Sequence, residues 1–184
     1  NGHIRVLDLD VPHKQLLNDI GYMAQSDALY TDLTGEENLH FFAKLYSLSK
    51  AERMERVAYA ASLVRLTDDL QLKVINYSGG MKRRLSLAIA LIQNPKLLIL
   101  DEPTVGIDPV LKKEIWQELI RLKEEEQKTI LVTTHAMDEA ERCDQLAMLR
   151  SGHIIAQGTP QALKEYYQAK DFDEVFLKAG GDVQ

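Results

Sequence analysis

A single cysteine, Cys143, stands in 184 residues, which excludes an intrachain disulfide framework and suits a reducing compartment. Cys143 itself reads as a small apolar residue in a half-buried position. Basic residues are outnumbered: 22 Lys and Arg face 28 Asp and Glu, for a formal charge of −6 and a pI near 5.4. Nucleic-acid surfaces draw on clustered Lys and Arg, so no nucleic-acid partner is expected. The one tight basic run, Lys82, Arg83 and Arg84, reads as a solvated helix face. No stretch approaches eighteen consecutive apolar residues and there is no signal-peptide pattern, so a membrane role requires a separate partner. Internal repeats and low-complexity tracts are missing too. So is the phosphate-cradling run G-x-x-x-x-G-K-[ST], since no glycine is followed by Lys and then Ser or Thr.

What remains is ordinary for a globular protein, with 45% hydrophobic and 27% charged residues. The length suits one domain with a full core, or part of a larger one. The informative stretch runs from Tyr77 to Asp108, YSGGMKRRLSLAIALIQNPKLLILDEPTVGID. Ser78, Gly79 and Gly80 precede a helical pattern in which Leu85, Leu87, Ala88, Leu91 and Ile92 share a buried stripe. A serine and two glycines at a helix start offer a hydroxyl, free N–H groups and the positive end of the dipole, which suit a phosphate. The same serine also reads as a plain N-cap. After the turn residues Asn94 and Pro95, Leu97 to Leu100 form an unbroken apolar run, expected of a parallel strand buried on both faces. Asp101 and Glu102 follow at once. Either they are solvated acids at a strand end, or they have a use, because desolvating adjacent carboxylates costs several kcal/mol without a cation or donor. One such acid can hold Mg²⁺ through its water, and the other can orient or deprotonate a water for attack on phosphorus.

In order and spacing these residues resemble the second half of an ATP-binding cassette (ABC) ATPase: Tyr77 to Met81 the signature, Leu97 to Glu102 the Walker B strand, Val105 to Asp108 the D-loop. Met81 departs from the commonest signature, which has Gln. The run YSGGMKRRLSLA looks like the subgroup that energises export of drugs, lipids or polysaccharides.

The resemblance extends over almost the whole chain. Gln25, after a short strand at Ile20 to Met23 and before DALYTDLTGEEN (Asp27 to Asn38), matches the Q-loop glutamine, implied to touch Mg²⁺ and the attacking water. His135, after the apolar strand Thr129 to Thr134, matches the switch histidine, implied to contact the γ-phosphate. Ser78, Gly79 and Gly80 would bind the ATP held by a second copy, and Asp108 would couple the two sites. The implied fold is α/β: a P-loop NTPase, RecA-like, three-layer core with a mainly parallel sheet and an inserted helical subdomain. Its parts would be 1–25 (remnant of the N-terminal β region and Q-loop strand), 26–77 (helical subdomain), 78–160 (signature helix, Walker B and core) and 161–184 (C-terminal helical tail).

Local patterns fill in the rest. Ile4 to Leu9 alternates and predicts one antiparallel strand bounded by Pro12. Thr34 with Glu37 fits a capping box. Leu39, Phe42, Ala43 and Tyr46, then Met54, Val57, Ala61, Val64 and Leu70, predict apolar helix faces. Leu29, Tyr30, Phe41 and Phe42 are either plain core or the lining of a groove for a membrane subunit's helix. Pro109 opens a helix to about Glu126 with Leu111, Ile115, Leu119 and Leu122 inward and Trp116 packed. Thr129 to Thr134 predicts a second buried strand. A strand at Gln145 to Leu149, a turn at Ser151-Gly152, a strand at His153 to Ala156, a helix from about Pro160 and a short one over Asp171 to Lys178 complete the chain.

By resemblance the missing glycine loop belongs upstream of Gly2 to Ile4, together with the adenine-stacking aromatic, so the chain looks like a cassette begun late. The strand before that loop would lie between the strands of Ile130 to Thr134 and Gln145 to Leu149. Its absence predicts that the gap closes by rearrangement or by pairing with a second copy. The parent is expected to be an ATP hydrolase using ATP and Mg²⁺, a homodimer on the cytoplasmic face of a membrane beside a polytopic subunit. Alternatives are an ABC ATPase acting on DNA or ribosomes and, for these 184 residues alone, a non-catalytic interaction module with negligible turnover.

Overall fold

The computed structural model describes residues 2–26, 28–46 and 48–181; Asp27 of the expected Q-loop lies outside them. The chain forms two compact units, Asn1–Thr133 and Thr134–Gln184.

The first unit opens with β1 (Arg5–Val6) and β2 (Leu9–Asp10), an antiparallel pair joined at Leu7 and Asp8. The single strand predicted over Ile4 to Leu9 is therefore a hairpin. Leu7 and Asp8 both have positive φ, 47° and 64°, the turn geometry whose twist matches that of the flanking strands. A short helix α1 (Leu16–Asp19) leads into β3 (Ile20–Met23).

Between β3 and its neighbour lies a helical stretch. Helix α2 (Gly35–Ala43) begins on the expected capping box: Glu37 N–H donates to Thr34 Oγ1 at 3.1 Å, and Thr34 N–H donates to Glu37 Oε2 at 2.8 Å. Helix α3 (Lys50–Leu63) starts on a second box, Ser49 with Glu52, that the apolar pattern did not announce. Val57, Ala61 and Val64 are buried, but Met54 is 59% exposed and does not belong to the inward face. Two 3₁₀ turns, Thr67–Asp69 and Val74–Asn76, lead to α4 (Gly79–Leu91), which buries Leu85, Leu87, Ala88 and Leu91 as expected, with Ile92 just beyond it.

Strand β4 (Leu97–Asp101) pairs in parallel with β3, and β5 (Thr129–Thr133) pairs in parallel with β4, giving the order β3-β4-β5. Parallel neighbours need crossovers. Here α2 to α4 make the first, and α5 (Pro109–Glu126) makes the second. In register, Gly21 stands beside Leu98 and Met23 beside Leu100; these are fully buried on one face. Helix α4 covers that face so closely that a Cβ on Gly21 would run into the Ala90 carbonyl. The opposite row, Tyr22, Ile99 and Leu131, is more open: Tyr22 is 62% exposed, Ile99 half-buried and Leu131 57% exposed. The expectation that β4 is buried on both faces and β5 is a buried strand is thus corrected. Burial on that row depends on neighbours that a local apolar run cannot report. Nor does any rearrangement close the sheet, because among the described residues β5 pairs only with β4.

Polar bonds tie α3 to α5. The Tyr59 hydroxyl donates to Glu118 Oε1 at 2.5 Å, and Arg121 forks onto Glu118 while reaching Glu125 and Glu126. Burial, reinforced by the Glu118 acceptor, pushes the Tyr59 phenol up to about 12 from 10. A raised folded value means stability that is complete below about pH 10 and lost as pH climbs toward 12. Tyr46 and Tyr77, raised mainly by burial, act in the same direction. The denaturant midpoint should therefore fall above about pH 10, and fall less steeply in Tyr59→Phe. Equal slopes in the two proteins would contradict this reading of Tyr59.

The second unit has its own core. Helix α6 (Met137–Ala140) precedes a hairpin of β6 (Leu146–Arg150) and β7 (His153–Gly158), turned at Ser151-Gly152, where both residues have positive φ. Helices α7 (Pro160–Tyr166) and α8 (Phe172–Ala179) close over it, and Met148, Ala156, Leu163, Phe172 and Val175 make the interior.

Candidate functional site

The carboxyl ends of β3 and β4 lie side by side, since Met23 is in register with Leu100. This brings Gln25, two residues past β3, to the same end of the sheet as Asp101 and Glu102, the usual place for ligands in open α/β sheets. Asp101 is the last residue of β4 and is held by its neighbour: the Thr133 hydroxyl donates to Asp101 Oδ1. Glu102 leaves the strand at φ 48°, and its N–H continues the ladder by donating to the Thr133 carbonyl at 3.0 Å. A non-glycine residue in this left-handed region costs about 1–3 kcal/mol, a strain that persists where surrounding bonds fix it. Both acids are half-buried, and Gln25 is exposed.

The structure changes the reading of the basic run. Arg83 is only 7% exposed. Its guanidinium donates to the main-chain oxygens of Ala24 (2.8 Å), Gln25 (3.1 Å), Asp101 and Glu102 (2.8 and 3.2 Å). Arg84 donates to the carbonyls of Val64 and Arg65 at 3.0 and 2.9 Å. Arg83 and Arg84 are therefore helix-to-loop braces rather than parts of a solvated face. Three basic residues in a row carry no periodicity from which to tell the two apart.

Ser78 is the N-cap of α4, its Oγ accepting from the Met81 N–H at 3.2 Å. The hydroxyl hydrogen is left to donate to an anion, so capping and phosphate binding do not compete. A Cβ on Gly79 would meet open space, while one on Gly80 would lie 2.9 Å from the Gly106 carbonyl oxygen, so the signature turn and the segment after Glu102 touch. Asp108 caps α5, its Oδ1 accepting from Val110 and Leu111 N–H at 3.1 and 3.0 Å. The role expected of Asp108 did not include this duty, for which an Asp directly before the helix-opening Pro109 was the available signal. His135 belongs to the second unit, two residues beyond Thr133, and is exposed.

Among the described residues no group of three or more His, Cys, Asp or Glu side chains forms a metal cage. Asp101 and Glu102, adjacent carboxylates at the end of β4, fit hydrated Mg²⁺, which takes one or two carboxylates and fills its remaining positions with water and substrate oxygens. Beside Gln25, an apolar recess of about 130 Å³ opens among Tyr22, Met23 and Ala24, Leu29, Phe42 of α2 and Ile89 of α4. Next to Phe42, with ring centroids 6.1 Å apart, Tyr30 is 48% exposed and packs edge-on against Phe41 with centroids 4.7 Å apart.

The family model described as "ABC transporter" matches residues 1–105. The chain belongs to the ABC transporter family. It is 44% identical over 167 residues to the Nod factor export ATP-binding protein I of Neorhizobium galegae, covering 89% of this chain and 48% of that protein. The chain thus spans about half the length of this curated relative. Among solved structures, an ATP-binding subunit of an ABC transporter superposes with a TM-score of 0.86 at 27% identity, over 98% of this chain and 77% of that one. A dimeric ATP-binding cassette in a post-hydrolysis state, bound to ADP and Pi, superposes with a TM-score of 0.78 at 26% identity, over 86% and 73%. The parallel sheet with its inserted helices is therefore the P-loop NTPase core of an ABC ATP-binding subunit, homologous to exporter ATP-binding proteins.

Proposed function

We propose that this chain is part of an exporter's ATP-hydrolysing nucleotide-binding subunit, which works as a homodimer on the cytoplasmic face of a membrane beside a separate polytopic subunit. The observation that carries the reading is the meeting of Gln25, Asp101 and Glu102 at adjoining strand ends, braced by Arg83 and Thr133. Mg²⁺, when bound, would neutralise phosphate charge. Asp101 would be the residue that holds it. Glu102 accepts a proton from, or orients, the attacking water. Gln25 donates to that water through its amide, and His135 donates to a phosphate oxygen. Ser78, Gly79 and Gly80 at the start of α4 address the ATP of the second copy, where hydroxyl, free N–H groups and dipole converge. Asp108 couples the paired sites through the segment it anchors. We read residues 26–77 as the subdomain that meets the membrane subunit, with the recess near Phe42 and the Tyr30–Phe41 pair as its docking groove. No helix among the described residues is long and apolar enough to cross a membrane.

The test is purification of the protein as its gene encodes it, from detergent-solubilised membranes. We expect Mg²⁺-dependent ATP turnover and a co-purifying polytopic protein. ATP turnover with ribosomes or DNA as the sole partner would redirect the reading, and absence of turnover in the membrane complex would overturn it. The 184 residues alone hold no G-x-x-x-x-G-K-[ST] run and should turn over no ATP, because that loop supplies most direct phosphate contacts.

A further inference from the structure

We infer that Arg83 is the positioning residue of the hydrolytic site: it holds the main chain beneath Gln25, Asp101 and Glu102 so that their side chains meet one substrate. The inference rests on the proposed function.

A guanidinium has five N–H donors in a rigid planar fork. Arg83 directs five bonds at four main-chain oxygens: Nε and Nη2 to Glu102, Nη2 also to Asp101, and Nη1 to Ala24 and Gln25. Ala24 and Gln25 lie past the end of β3, and Glu102 past the end of β4, where ladder partners run out. Carbonyls beyond the ladder need another donor where water is restricted, as it is at half-buried Ala24, Asp101 and Glu102. Arg83 supplies donors to both strand ends at once from the helix that begins with Ser78 and the two glycines.

The arrangement does more than satisfy carbonyls. Glu102 sits at φ 48°. Its N–H is fixed on Thr133 at 3.0 Å, and its carbonyl is fixed by Arg83 and by the Val105 N–H at 3.3 Å. Both peptide planes flanking Glu102 are thereby set, and with them the direction of its Cα–Cβ bond. The same fork sets the plane after Gln25. Lysine could not replace it, because a single ammonium cannot span two strand ends with a planar fork.

The test compares Arg83→Lys, which keeps the charge, and Arg83→Gln with the natural residue, in the protein as its gene encodes it. Amide hydrogen exchange in Ala24–Ser26 and Asp101–Gly106 should speed at least about tenfold in both variants while α3 stays protected. The kcat should fall at least about tenfold per folded molecule, with the KM for ATP within about twofold and the Mg²⁺ half-saturation raised several-fold. The inference is overturned by unchanged exchange at both strand ends, by an Arg83→Lys kcat within twofold of the natural residue, or by an Arg83→Lys chain that fails to fold, which would mark a general structural role. If the natural protein shows no turnover, the proposed function fails, and the exchange measurement still judges Arg83.

Discussion

Glu102→Gln, made in the protein as its gene encodes it, should cut ATP turnover at saturating Mg²⁺ and ATP by about 10²–10⁴-fold, with the KM for ATP changed less than about threefold. The substitution keeps side-chain length and volume, and neither residue is a glycine, so the backbone cost of φ 48° is common to both. The bonds that fix this residue's main chain, from its N–H to Thr133 and to its carbonyl from Arg83 and Val105, involve no carboxylate oxygen. What changes is the ability to accept a proton from, or strongly polarise, a water next to phosphorus. Such an interaction matters only in the transition state, so its loss appears in kcat. The measurement is steady-state phosphate release from the folded membrane complex. Turnover within tenfold of the natural protein would remove Glu102 from the base role, and Gln25 and His135 would then need the same test.

Much of this architecture was legible because its signals are local. The apolar run Leu97 to Leu100 stops at two acids, and β4 ends at Asp101. The stripe on α4, the inward face of α5, the Thr34–Glu37 box and the Ser151-Gly152 turn each follow from a period or a cap confined to a few residues. What was not legible depends on residues far apart in the chain. The run TILVTT has the composition of a buried strand, yet half of β5 faces outward, because burial is a property of what lies across from it. Arg83 lies within a triplet of cations and gives no sign that its partners are carbonyls 18 to 59 positions away. The turn at Leu7 hides inside an alternating pattern, since a leucine at positive φ is contrary to its local preference. For the site itself, residue types and position named Asp101 and Glu102, and the family resemblance named Gln25, but the brace proposed to orient them emerged only from the packing of α4 against two strand ends.

The contrast between the two faces of the sheet supports a second large effect. Leu100→Ala should destabilise the first unit by about 2–5 kcal/mol, whereas Leu131→Ala should cost less than about 1 kcal/mol. Leu100 is fully buried, flanked in register by Met23 on β3 and Val132 on β5, and lies on the face that α4 closes. Truncation there leaves a cavity that a central strand bonded on both sides cannot collapse to fill. Leu131 is 57% exposed on an edge strand, so most of its surface is in water before the change as well as after. The sole tryptophan, Trp116, is buried in α5 of the same unit, so its fluorescence in a urea titration reports on that unit's unfolding. Both variants should keep the natural m-value, making the midpoint shift a stability difference. Equal losses at the two positions would mean that the row of Tyr22, Ile99 and Leu131 is covered in solution, as a second copy packed against that face of the sheet would cover it. In that case the loss at Leu131 should grow with protein concentration, because a dimer's stability includes the concentration of its protomers.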